Sequence, residues 1–435
     1  MNFVCKNISV CERTGHLTFA GQDTVSLAEK YGTPLYLFDE DRLRENCRRY
    51  MSAFQKSGLP GFRVIYAGKA AAFKQMYRIM REEGMAVDLV SPGEIATAEA
   101  AGFPMELSYF HGNNKTDSDI RFAFDAGVGY FVAESEEELE AIEEEAKKRG
   151  IVQKVLIRVT PGIDPHTYEA VATGKVDSKF GLAIVTGQAE AAVACALSLP
   201  HVKLMGFHCH VGSMVFAEDV YERAVKVMME FADDMRQKFG YIAEELNLGG
   251  GIGVPYTEAD AVIDLDEKIA SIAGAFRAVC AERDFPMPML LVEPGRSIAA
   301  DAGMTLYTVG SIKKLPGYKN YVSVDGGMTD NPRFALYRSS YTCLPANRMK
   351  EPGDMQCSVV GRCCESGDII QENVPMPETL ARGDLLAVCT TGAYNYSMAS
   401  NYNRVCRPPV VMLKGGDSYV AVRRETEEDI MMYDL

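Results

Sequence analysis

RVIYAGKAAAFKQMYRIMREEGMAVDLVSPGE, residues 63–94, is the stretch whose reading decides the fold. It opens on the apolar run Arg63–Gly68 and closes on a second, Met85–Ser91, with a stretch between them that reads as a helix. A strand, a crossing helix and another strand make a unit of a parallel sheet. Six more bounded apolar runs follow: Glu106–Gly112, Val128–Ser135, Val155–Val159, Leu204–Gly212, Leu246–Gly250 and Met289–Glu293. The connections read as helices. Ser91-Pro92-Gly93-Glu94 opens IATAEAAG, Glu134-Ser135 opens EEELEAIEEEAKKRG, and AEDVYERAVKVMMEFADDMRQKFG precedes the seventh strand. The acidic run in the second of these reads as a solvated helix face.

Eight such units suit an α/β fold closed as a (β/α)₈ barrel, which takes roughly 250 residues. An open doubly wound sheet is the alternative. Lys69, Ser91, His111, Glu134, Arg158, His210, Gly249-Gly250-Gly251 and Glu293 all lie at or near strand exits. That is the face on which barrel enzymes place their chemistry. After Pro294-Gly295-Arg296 the texture changes to strands separated by Gly/Pro turns: Met304–Lys313, Tyr321–Val324, Cys357–Val360, Asp384–Thr390, Val410–Lys414 and Ser418–Arg423. The expected division is an N-terminal segment (1–34) packing with a C-terminal β-rich domain (301–435), a β-barrel or sandwich, and a barrel at 35–300.

Composition bounds the function. Of 435 residues, 47% are hydrophobic and 24% charged, as in a soluble protein with a large core. A net charge of −15 disfavours nucleic acid and anionic membrane surfaces as partners. No apolar run is long enough to span a bilayer, and MNFVCKNISVCERTGHLTF has no signal-peptide pattern. Twelve irregularly spaced cysteines point to reduced thiols and a cytoplasmic setting.

Lys69 ends an apolar run, where a lysine either finds a counter-charge or becomes a nucleophile able to form a Schiff base with a carbonyl or with pyridoxal phosphate. A lysine snorkelling to water would look the same. The glycines after Leu246-Asn247-Leu248 let backbone N–H groups converge on a phosphate, or simply turn the chain. Val254 stands where a dinucleotide motif wants its last glycine. His208 and His210, two apart on a strand, could share a metal, but no H-E-x-x-H accompanies them; a ring stacked on a flat ligand suits His210 better, with Ser213 near a phosphate oxygen. Glu293 after Met289–Val292 needs a cation or a protonated ring nitrogen, and Arg296 suits a phosphate or carboxylate; an internal salt bridge would also serve. Cys363-Cys364-Glu365-Ser366-Gly367-Asp368 sets a thiol beside a carboxylate in a glycine turn, without metal spacing.

Together YAGKA, DLVSPGE, FHGNNK, HTYEAVATGKVDSKFG, FHCHVGS, LNLGGGIGVPY, EPGR, VDGGM, CCESGD and GAYNYSMASNYN resemble the diaminopimelate decarboxylase family of fold-type III pyridoxal-phosphate enzymes, from about Gly32 to Met412. The resemblance implies an alanine racemase-like barrel with a C-terminal β domain, and a carboxy-lyase converting meso-diaminopimelate to L-lysine and CO₂, the last step of lysine biosynthesis. Pyridoxal 5'-phosphate would be held by Lys69, with Asp88, His210, Ser213, Gly250, Gly251, Glu293, Pro294, Gly295, Arg296 and Tyr394 around it. Within this set, His210 would stack on the ring and Glu293 would hold its nitrogen. Arg296, Arg333, Tyr337, Glu365 and Tyr394 would bind substrate. Cys364, from the second subunit of a homodimer with active sites at its interface, would donate the proton. No metal is implied. Ala71, Thr160, Arg362 and Asn395 depart from the family's usual residues. Decarboxylation of ornithine, arginine or carboxynorspermidine is the second reading, and a non-catalytic cofactor carrier the third.

Overall fold

A computed structural model of the chain describes residues 5–163 and 177–435, so most of the 166–181 motif lies outside the described residues. The chain forms two compact units, one made of Cys47–Gly253 and Val262–Ser297, the other of Met1–Asn46, Val254–Ala261 and Ile298–Leu435.

In the first unit eight parallel strands close on themselves. Phe62–Ala67 pairs with Ala86–Leu89, and the ring continues through Ser108–Phe110, Tyr130–Ala133, Gln153–Thr160, Val202–His208 and Glu245–Asn247. Met289–Val292 pairs with the seventh strand and returns to the first. The open-sheet alternative is thereby excluded. Alternate residues point inward, so Ile65, Ala86, Tyr109, Tyr130, Val132, Leu156, Met205 and Leu291 fill the interior as one cluster. The strands look apolar throughout because both of their faces are buried. At the strand-entry end, Arg63 bonds the hydroxyls of Tyr109 and Tyr130 and lies 3.5 Å from Glu245. The two tyrosine rings stack 4.3 Å apart.

Local chemistry sets the helix ends. Ser91 Oγ accepts from Glu94 N, with Pro92 in the first turn of Pro92–Ala100. Glu136–Arg149 has Ser135 as its cap, glutamates in its first turn, Lys147, Lys148 and Arg149 in its last, and Gly150 at φ 66° beyond it. That charge order complements the helix dipole. The acidic run is not wholly solvated, however. Glu138 is buried and accepts from Lys115 Nζ at 2.7 Å, while the same ammonium donates to the carbonyls of Gly112 and Val132. Burial pushes the Glu138 carboxyl up and Lys115 opposes that shift. Lys115→Met keeps the length and removes the charge, and it should cost about 3–5 kcal/mol of stability at neutral pH. Without the cation, the folded-state pKa of Glu138 rises further, so stability is lost as pH rises. Urea unfolding should therefore show a deficit that shrinks at acidic pH.

The second unit is β-rich, as its turn-separated runs led one to expect. Its sheet runs in the order Ile369–Met376, Met355–Val360, Asn320–Val324, Gly303–Lys313, Leu35–Asp39, Val410–Lys414, Asp417–Val422. Leu385–Cys389 also pairs with Gly303–Lys313 and with Cys343–Pro345. Leu35–Asp39 lies antiparallel to Gly303–Lys313 and parallel to Val410–Lys414. A three-stranded sheet of Ile8–Val10, Leu17–Phe19 and Gln22–Asp23 sends Leu17 and Phe19 into a core with Leu35, Leu37, Leu306 and Val411.

Candidate active site

The strand exits of the barrel gather titratable groups. Lys69 sits in the one-turn helix Gly68–Ala70 directly after Phe62–Ala67, with Nζ 3.4 Å from Asp88 Oδ2. Asp88 is fully buried, and its other oxygen has no partner among the described residues. Lys69 thus has its counter-charge from the end of the neighbouring strand, an arrangement that retains the amine at a strand mouth. Nearby, Glu94 accepts from Val90 N at 2.8 Å, and its carboxyl is pushed up to about 7 by burial and then by Asp88.

Glu293, one residue past the last strand, is the most heavily engaged carboxylate. Asn247 Nδ2 donates to Oε1 at 2.8 Å, His208 Nε2 meets Oε2 at 3.0 Å, and His111 Nε2 lies 2.9 Å from Oε1. Burial opposes its charge, but the imidazoles of His111 and His208 beside it hold it well below the usual carboxylate range. Burial pushes His208 itself down to about 4, so at neutral pH it donates as an uncharged ring. Glu293 therefore stays negative in a desolvated place, which a protonated heterocyclic nitrogen would match. The histidine pairing differs from the metal reading: His208 meets His111 around Glu293, rings 4.8 Å apart, whereas His210 turns Nδ1 to Gly250 N at 3.3 Å. The ligand atoms of His111, His208 and Glu293 do lie within 4.8 Å of one another. Glu293's hydrogen bonds to Asn247 and His208 hold two of these three groups together.

Arg296 Nη2 donates to Ser213 Oγ at 3.0 Å, so a guanidinium and a hydroxyl stand together as an oxyanion would need. The glycines beside them are required for another reason as well. A Cβ on Gly250 would fall 2.0 Å from the Glu293 carbonyl, and one on Gly251 1.9 Å from that of Gly212. Backbone crowding at the strand ends, before any ligand, demands glycine there. A similar constraint holds Gly295 of the Pro294-Gly295-Arg296 turn, whose Cβ would sit 2.9 Å from that of Ala67. His210 is held well below its ordinary pKa, first by burial and then by the Lys69 charge, which leaves a neutral ring.

In the β-rich unit, Arg333 is only 5% exposed, and its guanidinium lies over the rings of Tyr337 (5.1 Å) and Tyr394 (5.2 Å). Among the described residues no carboxylate pairs with it, its Nε has no partner, and Met398 Sδ is 3.9 Å from Nη1. Cys364 and Glu365 are exposed on the turn before Ile369–Met376, with Cys364 N donating to Asn403 Oδ1 at 2.8 Å.

A family model described as the pyridoxal binding domain of pyridoxal-dependent decarboxylases matches residues 40–300. A diaminopimelate decarboxylase of Bacillus subtilis is 44% identical over 97% of this chain and 95% of its own length, and one of Staphylococcus aureus is 40% identical over 97% and 98%. The chain belongs to the diaminopimelate decarboxylase family of pyridoxal-dependent enzymes. Among solved structures, the diaminopimelate decarboxylase of M. jannaschii in complex with L-lysine matches with a TM-score of 0.91 and 32% identity, covering 100% of this chain and 99% of that one. A lysine/ornithine decarboxylase of Vibrio vulnificus with putrescine follows at 0.76 and 25%, covering 90% and 97%.

The cofactor of this decarboxylase family is pyridoxal phosphate, and the residues present fit it: an amine at Lys69, a buried anion at Glu293 and an oxyanion site at Ser213 and Arg296. Asn247 and Glu94 carry no role in the sequence reading, His111 appears there only as a strand-exit residue, and His208 only as a possible metal partner of His210. For Asn247 and His208 the signal was a polar residue in the last position of an apolar strand, on the opposite face from the adjacent Leu246 and Phe207. Arg158 Nη1 donates to Glu134 Oε1 at 3.0 Å while Glu134 Oε2 accepts from Gly181 N.

Proposed function

We propose that this protein is a carboxy-lyase that converts meso-diaminopimelate to L-lysine and CO₂ as the last step of lysine biosynthesis. The observation that carries the substrate choice is Arg333, a buried guanidinium with two aromatic neighbours and no carboxylate partner among the described residues. A substrate whose far end bears a carboxylate would neutralise it, whereas the ammonium-only tail of ornithine would leave it unpaired, at a cost of several kcal/mol.

When bound, pyridoxal phosphate supplies the sink for the electron pair released as the α-carboxylate departs. The chain does the rest. Lys69 would hold the cofactor covalently through Nζ and yield that position to the substrate amine, with Asp88 governing the charge of the freed amine. Glu293 would keep a proton on the ring nitrogen, His210 would cover one ring face, and Ser213, Gly250, Gly251, Arg296 and Tyr394 would bind the phosphate. Arg333 and Tyr337 would fix the distal carboxylate and Glu365 the distal ammonium. The bond from Cα to the carboxylate breaks, CO₂ leaves, and Cys364 would pass its thiol proton to Cα. Orientation and fixed charge are the protein's contribution.

We further propose a homodimer in which Cys364 and Glu365 complete the site of the second copy, read by sedimentation velocity. No described helix is long and apolar enough to cross a membrane. Twelve cysteines without a disulfide fit a reducing, cytoplasmic compartment. The decisive experiment incubates purified protein and pyridoxal phosphate with meso-diaminopimelate or L-ornithine and measures CO₂ and lysine. Turnover of the first supports the assignment; turnover of ornithine alone overturns it.

A further inference from the structure

Asn395 follows Tyr394 in the loop after Leu385–Cys389, and nothing in the chemistry above uses it. It is fully buried. Turned so that its nitrogen donates to Ala393 O (3.0 Å), Thr391 O (3.3 Å) and Tyr341 Oη (3.2 Å), the amide sets its oxygen 2.9 Å from the end of the Asn331 side-chain amide, whose nitrogen donates to it when that amide is turned to match. Both carbonyls belong to the residues leading into Tyr394, which itself stands at φ 62°, a backbone region that residues other than glycine seldom enter. Asn331 is also fully buried, and its N–H donates to Gly327 O at 2.7 Å, within the turn that leads to Arg333. A second tie, Ser400 N to Thr329 O at 2.8 Å, joins the same two loops.

We infer that Asn395 is a positioning residue, whose amide bridge to Asn331 locks the loop carrying Tyr394 to the loop carrying Arg333 and so fixes the spacing of the two side chains. The inference rests on the roles proposed for Arg333 and Tyr394. The guanidinium lies 5.2 Å from the Tyr394 ring centroid, so its aim depends on the left-handed residue beneath it. A glycine at 395 would make none of the four amide contacts. A buried amide that satisfies two loops at once restricts both, because releasing either leaves polar groups unpaired.

The test is a double-mutant cycle on the full-length holoenzyme with Asn395→Ala, Asn331→Ala and the pair, reading kcat, KM for meso-diaminopimelate and thermal midpoint, together with absorbance titration of the apoprotein with pyridoxal phosphate. Asn395→Ala should raise KM about tenfold with kcat within about threefold, and the double variant should resemble either single one, because both remove the same bridge. An unchanged KM, effects that multiply in the double variant, or kcat and KM worsening only in step with a lost thermal midpoint would each overturn it. If Asn395→Ala does not fold, Asn395→Gly is read by the same criteria. If the wild-type protein does not decarboxylate meso-diaminopimelate, the proposed function fails. The inference is then decided by the apoprotein titration, where about tenfold weaker binding in Asn395→Ala supports it and equal binding rejects it.

Discussion

Lys69→Ala is expected to lower kcat by about a thousandfold or more and to abolish borohydride trapping of pyridoxal phosphate on the protein. The size follows from losing the amine that the first strand exit places beside a buried carboxylate, with Nζ 3.4 Å from Asp88 Oδ2. The substitution has a second effect that must be separated from the first. Asp88 is fully buried, and removing its cation strands a charge there, so Lys69→Ala should also lose stability. Lys69→Arg separates the two. An arginine keeps a cation against Asp88 but offers no nucleophilic amine at working pH. It should recover the stability lost in Lys69→Ala and none of the turnover. Peptide mapping of the reduced wild-type holoenzyme should place the label within Phe62–Ala71. A label elsewhere, or turnover surviving in both variants, would remove Lys69 from the chemistry.

The barrel was legible because burial on both faces of its strands writes continuous apolar runs, and because each helix start carries its own signal, as at Ser91-Pro92 and Ser135. Two strands of the β-rich unit left weaker traces. Ile369–Met376 contains Asn373 at φ 56° and Pro375, and its pairing with Met355–Val360 shifts register twice, so no clean alternation remains. Leu35–Asp39 is buried at every position, and only the tertiary pairing with Gly303–Lys313 and Val410–Lys414 tells it from any short apolar run.

At the candidate site, the residues legible as outliers were those of the wrong polarity for their place, such as Lys69 and Glu293. The groups that tune them were not, because partnership is a property of space. His111 and His208 lie 97 positions apart (208 − 111) yet meet around one carboxylate. Glu138 reads in sequence as part of a solvated stripe, because the Lys115 that meets it lies 23 positions away in the chain.

Glu293→Gln should lower kcat by about a hundredfold or more while leaving KM within a few-fold, since the loss falls on charge that matters most as the α-carboxylate leaves. Glutamine keeps the volume; its one carbonyl oxygen can accept from Asn247 Nδ2, and its amide nitrogen can donate to His208 Nε2 once that neutral ring takes its other tautomer, so the packing around the strand end survives and the negative charge is gone. The pH dependence of stability separates a charge effect from an unfolding effect. His208 has a folded pKa of about 4 against an ordinary 6.5, so the unfolded chain binds its proton first, and stability is lost as pH falls from 6.5 toward 4. That acid limb should persist in the variant. Glu293 is held below its ordinary 4.5, so its own contribution is complete above that value and is lost only as pH falls through the depressed folded pKa. Wild type and variant should therefore share their limb between pH 6.5 and 4.5 and diverge only in stronger acid, as urea unfolding of the apoproteins would read. With folding matched across that window, a rate deficit near neutrality belongs to the missing charge at the ring nitrogen. A variant rate within threefold of wild type would mean that Glu293 serves its two histidines and not the cofactor.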